Sequence, residues 1–132
     1  MNKISNTNSN CNCNNCNELI LIPKYEKYLE YMIEVIFKLP RTEKFNIGNE
    51  FKLSMYETIE KILYLQKVEA NKRMYYLNLI DTKINCQRIY LRIMYKNRWI
   101  DNKKYEVAFS LLLEVGKILG GLVRFYGKDS KK

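Results

Sequence analysis

Residues 72–98 read KRMYYLNLIDTKINCQRIYLRIMYKNR, and this stretch decides the fold. It contains no Pro and no Gly, and its seven basic residues against one acidic supply six of the nine net positive charges of the protein. Arg88, Arg92 and Lys96 recur every four residues, so a helix lines them up on one face. Asn78, Asp81 and Asn85 continue that strip upstream, and the six together fill an arc of roughly 80°. Most of the remaining circumference is apolar or aromatic: Leu77, Ile84, Leu91 and Tyr95, then Tyr76, Ile80 and Met94, then Leu79, Tyr90, Tyr75 and Ile93. An ordinary surface helix needs an apolar stripe only somewhat over ~100° wide. This pattern implies a helix buried on two sides that shows one cationic strip to an anionic partner.

Three further helical patterns surround it. Pro23 suits a helix start, and Tyr25, Tyr28, Leu29, Met32, Val35, Ile36 and Leu39 then recur at three and four until Pro40 ends the run. Thr42 to Gly48 is a joint with room for a helical turn. Ile47, Phe51, Met55, Thr58, Ile59, Ile62 and Leu65 mark a second helix to about Glu69. Asn71 suits the N-cap of the third helix and Asp101 that of the fourth, which continues through Tyr105, Ala108, Phe109, Leu112, Val115, Leu119, Leu122 and Tyr126. No stretch alternates as a strand would. Short joints between long amphipathic helices make neighbours antiparallel, so the expected fold is all-α, an up-down-up-down four-helix bundle. It should occupy residues 19–127, between a tail at 1–18 and a basic end at 128–132. Gly116, Gly120 and Gly121 sit inside the fourth helical pattern, where each costs roughly 1 kcal/mol against Ala. Their expected reason is the close approach of a neighbouring helix.

At 132 residues the chain makes one domain. A pI near 9.4 favours anionic partners, with nucleic acid foremost. Lysines outnumber arginines 17 to 6, beside abundant Asn, Ile and Tyr. AT-rich coding biases composition that way, so the arginines weigh more than the bulk lysine excess. There is no apolar run of the ~18 residues that span a bilayer and no recognisable signal peptide. The expectation is a cytoplasmic protein without lasting disulfides.

Residues 1–17 hold eight asparagines and three cysteines around almost nothing apolar, a composition that stays disordered. Cys11, Cys13 and Cys16 stand close, but a closed zinc site takes four Cys/His ligands. The chain has no histidine, and Cys86, the remaining cysteine, reads as a small buried hydrophobe. No metal and no cofactor is therefore expected. Without histidine there is no Ser-His or Cys-His couple, and no Arg-x4-His signature of a HEPN-type ribonuclease. No Gly-rich phosphate loop precedes a helix. Glu26, Glu30 and Glu34 repeat as a solvated helix face does. The sequence thus points away from an enzyme.

Specific stretches add to this reading. Glu114-Val115-Gly116-Lys117-Ile118-Leu119-Gly120-Gly121 closes the last helix. Pro23-Lys24-Tyr25-Glu26-Lys27 opens the first, and Leu39-Pro40-Arg41-Thr42-Glu43-Lys44 makes the first turn. Arg88-Ile89-Tyr90-Leu91-Arg92 pairs two arginines, and Trp99-Ile100 precedes Lys103-Lys104-Tyr105-Glu106. Together these make residues 21–126 resemble the accessory variability determinants of diversity-generating retroelements. The first stretch looks like that family's Glu-(apolar)-Gly-(basic)-(apolar)-Leu-Gly signature.

The resemblance implies a non-catalytic, homopentameric barrel that binds a retroelement reverse transcriptase and nucleic acid during mutagenic retrohoming. It gives no counterpart for the Asn/Cys tail. Four-helix proteins encoded in ribosomal-RNA intervening sequences share the Leu-Pro-x-x-Glu turn, so an oligomeric scaffold binding RNA or protein is the alternative. The expected contacts with polymerase or with sequence-nonspecific RNA or DNA are Arg88 and Arg92 first, then Lys96, Arg98, Lys72, Arg73 and Arg124. The competing role for Arg88 and Arg92 is pairing with carboxylates of a neighbouring helix, such as Glu57 or Glu60.

Overall fold

A computed structural model describes the backbone of residues 13–130 and the side chains of residues 20–127. The chain forms α1 (Cys13–Phe37), α2 (Arg41–Lys44), α3 (Ile47–Tyr64), α4 (Ala70–Lys96) and α5 (Asn102–Ser130). The four long helices form the expected bundle, and α2 is the short turn inside the joint. α4 packs against α3 and α5, and α1 packs against the same two, so the four helices enclose one core.

The core follows from spacing. On α1 the buried positions Leu21, Tyr25, Tyr28, Met32, Val35, Ile36 and Leu39 recur at three and four. Phe51, Met55, Ile62 and Leu65 do so around α3, and Ala108, Leu112, Val115, Leu119 and Leu122 along α5. α4 contributes Leu77, Ile80, Ile84, Leu91 and Met94, a row whose middle position is Gln87. Gln87 is fully buried, and a buried amide is costly unless each of its groups is paired. Here each is. The Tyr25 hydroxyl of α1 donates to Gln87 Oε1 at 2.9 Å. Gln87 Nε2 donates to Ser54 Oγ at 2.9 Å and Thr58 Oγ1 at 3.1 Å, both on α3. Thr58 in turn donates to the Ser54 carbonyl at 2.7 Å. Three helices are thereby locked together at one level of the bundle.

Element ends differ from expectation in three places. α1 begins at Cys13, reaching into the segment expected to be a tail, and carries Pro23 inside it. Pro lacks the N–H for its own bond to the preceding turn. The fully buried Leu21 continues the core face upstream of Pro23, so packing sustains the helix there. Residues 1–12, with Cys11, lie outside the described residues, as do the side chains of Cys13 and Cys16. α3 stops at Tyr64, short of Glu69. The N-cap of α4 is Glu69, two residues before Asn71, and no side chain caps it. At α5 the expected cap is present: Asp101 Oδ1 accepts from the Lys104 N–H at 2.8 Å.

Candidate nucleic-acid and protein interface

α4 carries three faces. One is the core row. A second, facing α5 and solvent, is the polar strip Asn78, Asp81, Asn85, Arg88, Arg92 and Lys96. A third, outward face holds Tyr75, Leu79, Cys86, Ile89 and Ile93.

The expected contact residues form a stripe rather than a cluster. Lys72 and Lys96 stand at opposite ends of α4, about 36 Å apart along its axis. Lys72, Arg92, Lys96, Arg98 and Arg124 are exposed. Arg98 has φ 63°, the one positive φ among the described non-glycine residues, and it turns the chain out of α4. Such backbone is uncommon outside glycine, and here it is the left-handed residue that closes the helix end, where the Trp99 N–H donates to the Met94 carbonyl at 2.9 Å. Arg73 is half-buried and committed within the chain: its Nη1 donates to the Tyr126 hydroxyl at 2.6 Å, with the guanidinium over the same ring.

Arg88 is the best-defined member. It is half-buried, and its Nη1 donates to Asn85 Oδ1 at 2.6 Å. A Cβ placed on Gly116 would lie 2.7 Å from Arg88 Nη2. The missing side chain at Gly116 is thus what lets the guanidinium lie against α5. The expected close approach of a neighbouring helix is not what fills this space; one arginine head is. At Gly120 a Cβ would meet nothing nearer than Arg124 Nη1, at 3.7 Å and on the same helix. Gly121 is half-buried beside it. The charge of Arg88 also reaches inward. Burial holds the Tyr28 hydroxyl well above its ordinary pKa, and Arg88 pulls in the opposite direction.

The competing ion pairs do not form. Glu57 pairs with Lys83, which holds its carboxyl below the usual range, and no salt bridge to Arg88 or Arg92 is present among the described residues. Glu114, opening the signature stretch, pairs with Lys24 across α1 and α5 at 3.0 Å. The Lys24 hydrogen bond lowers the Glu114 pKa.

Sequence reasoning missed Gln87 and Lys83. A polar residue interrupting a core row was a signal for the first; nothing in the spacing marked the second. Cys86 was expected to be buried. It is half-buried instead, in a groove between α3 and α4 that Leu53, Leu79 and Tyr90 also line. Cys86 beside it, together with burial, pushes the Tyr90 hydroxyl up to about 12. Outward of the groove, Leu53, Tyr64, Tyr75, Ile89 and Ile93 remain exposed.

Among the described residues no helix is long and apolar enough to cross a membrane. No curated protein matches the chain. Residues 19–126 match the bAvd-like family, a span that covers most of each long helix with the paired arginines and the Gly116 seat, and the chain belongs to that family of accessory variability determinants.

Proposed function

We propose that the protein is the non-catalytic accessory subunit of a diversity-generating retroelement, working in the cytoplasm. Its α4/α5 face binds the reverse transcriptase and the template RNA or its cDNA. The observation that carries this reading is the seat of Arg88. A glycine gap and Asn85 fix a guanidinium at the surface without giving it a carboxylate, while Arg92 one turn on is left uncovered. An arginine fork held in place loses less freedom when it meets a phosphate or carboxylate. Neutralising phosphates releases counterions without reading sequence, which suits a subunit that handles a transcript of any content.

The uncovered apolar residues of α3 and α4 support assembly of copies of the chain, five in all by family resemblance. A ring repeats each weak cationic strip and raises avidity.

The test is co-purification of the neighbouring reverse transcriptase with wild type and with Arg88→Ala/Arg92→Ala, beside RNA binding by each. Loss of either interaction from a variant that folds and assembles supports the reading. Retention of both would retire this face. Absence of a reverse transcriptase gene and a template/variable repeat pair beside the gene would favour the ribosomal-RNA scaffold instead.

A further inference from the structure

The basic strip ends at Lys96, and the chain then turns through residues 97–101 into α5. Aromatic rings gather at this end. The Tyr95 ring lies 4.4 Å from that of Tyr105 with planes 13° apart, and Phe109 continues the ladder 5.9 Å further on at 28°. Tyr95 is held in place, since its hydroxyl donates to Asn102 Oδ1 at 2.9 Å and Asn102 Nδ2 donates to Glu106 at 3.2 Å. Beside it opens a cleft of about 670 Å³ lined by Tyr95, Lys96, Arg98, Trp99, Asn102 and Lys104. Its three cations make no ion pair among the described residues. The carboxylate in the cleft, Asp101, already accepts the Lys104 N–H as the helix cap.

We propose that this cleft is a stacking subsite for an unpaired base of single-stranded nucleic acid, with the Tyr95 ring as the platform and Lys96, Arg98 and Lys104 neutralising the flanking phosphates. It rests on the nucleic-acid reading above and adds a preference for single strands. The physical reason is direct. Tyr105 covers one face of Tyr95, yet the residue keeps 38% of its surface exposed and lines the cleft, which leaves room for a base beside it. Every base has a π-face, so such stacking tolerates any sequence. Bases within a duplex are already stacked on each other and can offer only phosphates.

Trp99 is the sole tryptophan of the chain and lines the cleft, so its fluorescence reports occupancy. The full-length protein is titrated with a single-stranded DNA oligonucleotide of about 12 nucleotides, and separately with its duplex. The single strand should change Trp99 emission and the duplex should not. Tyr95→Leu should weaken single-strand binding about five- to one-hundred-fold and leave duplex binding unaltered, while Tyr95→Phe keeps single-strand binding. Should Tyr95→Leu fail to fold, Lys96→Gln/Lys104→Gln serves: it should flatten the single-strand salt slope by about 1.4. Equal weakening for both nucleic acids, no weakening at all, or an unchanged salt slope would each overturn the proposal. So would a Trp99 response to polyglutamate in place of the oligonucleotide, which would give the cleft to an acidic protein segment. Wild type that binds neither single strand nor duplex would sink the nucleic-acid reading itself. Binding to both with no Tyr95 dependence would sink the stacking subsite alone.

Discussion

Tyr25 and Tyr28 stand one turn apart on α1, both fully buried, yet their hydroxyls do opposite things. The Tyr25 hydroxyl completes the Gln87 amide, whereas that of Tyr28 makes no hydrogen bond among the described residues. A buried acceptor that loses its donor costs about 1–3 kcal/mol, so Tyr25→Phe should lower unfolding stability by about that amount in denaturant titration. Tyr28→Phe removes a group that burial already penalises. It should leave stability within ~0.5 kcal/mol or raise it. Burial also raises both hydroxyl pKa values above the ordinary tyrosine value. A group whose folded pKa is raised contributes stability that is present below its unfolded pKa and lost as pH rises past it. The melting temperature should therefore fall above about pH 10, less steeply in Tyr28→Phe. Gln87 itself was visible in the sequence as a polar break in the row Leu77, Ile80, Ile84, Leu91, Met94. Which hydroxyls would answer it was not, because those partners sit on other helices.

At the scale of the helix, periodicity settled which faces are buried, and propensity settled the ends less well. The α1, α3 and α5 core rows were legible because each recurs at three and four without interruption. Pro23 and Asn71 misled because each is a favourable end residue taken alone. Burial of Leu21 carries α1 past Pro23, and α4 begins at Ala70, one residue ahead of Asn71, with no side-chain cap. Gly116 posed the converse problem: the sequence showed that a side chain was missing but not what occupied the space. The structure makes the role testable. Gly116→Ala raises helix propensity by roughly 1 kcal/mol, and the atom it displaces is the far end of a flexible side chain. Stability should hold or rise while partner binding falls, because the Arg88 guanidinium must leave its seat. In an Arg88→Ala background the same substitution should change binding no further, a non-additivity that a double-mutant cycle measures. Additive losses would show that Gly116 acts independently of Arg88.

For the molecule as a whole, the wide apolar arc of α4 anticipated more burial than a single chain provides. The arc divides in the folded protein. The core row is fully covered by α1, α3 and α5, but Tyr75, Ile89 and Ile93 remain exposed, as do Leu53 of α3, which lines the groove beside Leu79 and Cys86, and Tyr64, which stacks on Tyr76. Sequence periodicity could not separate the two parts, since both are apolar and both recur at helical spacing. Isolated exposed hydrophobes are ordinary, whereas a contiguous apolar face usually marks an interface. Ile89 is 47% exposed, so Ile89→Glu touches little within its own chain and should alter monomer stability by less than ~0.5 kcal/mol. If copies meet through this face, the new carboxylate is buried without a partner, and light scattering should report dissociated but folded subunits. The consequence for nucleic acid then follows from multiplicity. In a ring, several Arg88–Arg92 strips would face one strand, and linked sites of this kind can exceed single-site affinity by about 10²–10⁴. The dissociated variant should therefore bind long RNA at least tenfold more weakly than wild type while retaining its affinity for an oligonucleotide that spans one subunit. Undiminished binding to long RNA by the monomeric variant would mean that each subunit works alone. A variant that stays assembled would place the subunit contact elsewhere on the bundle.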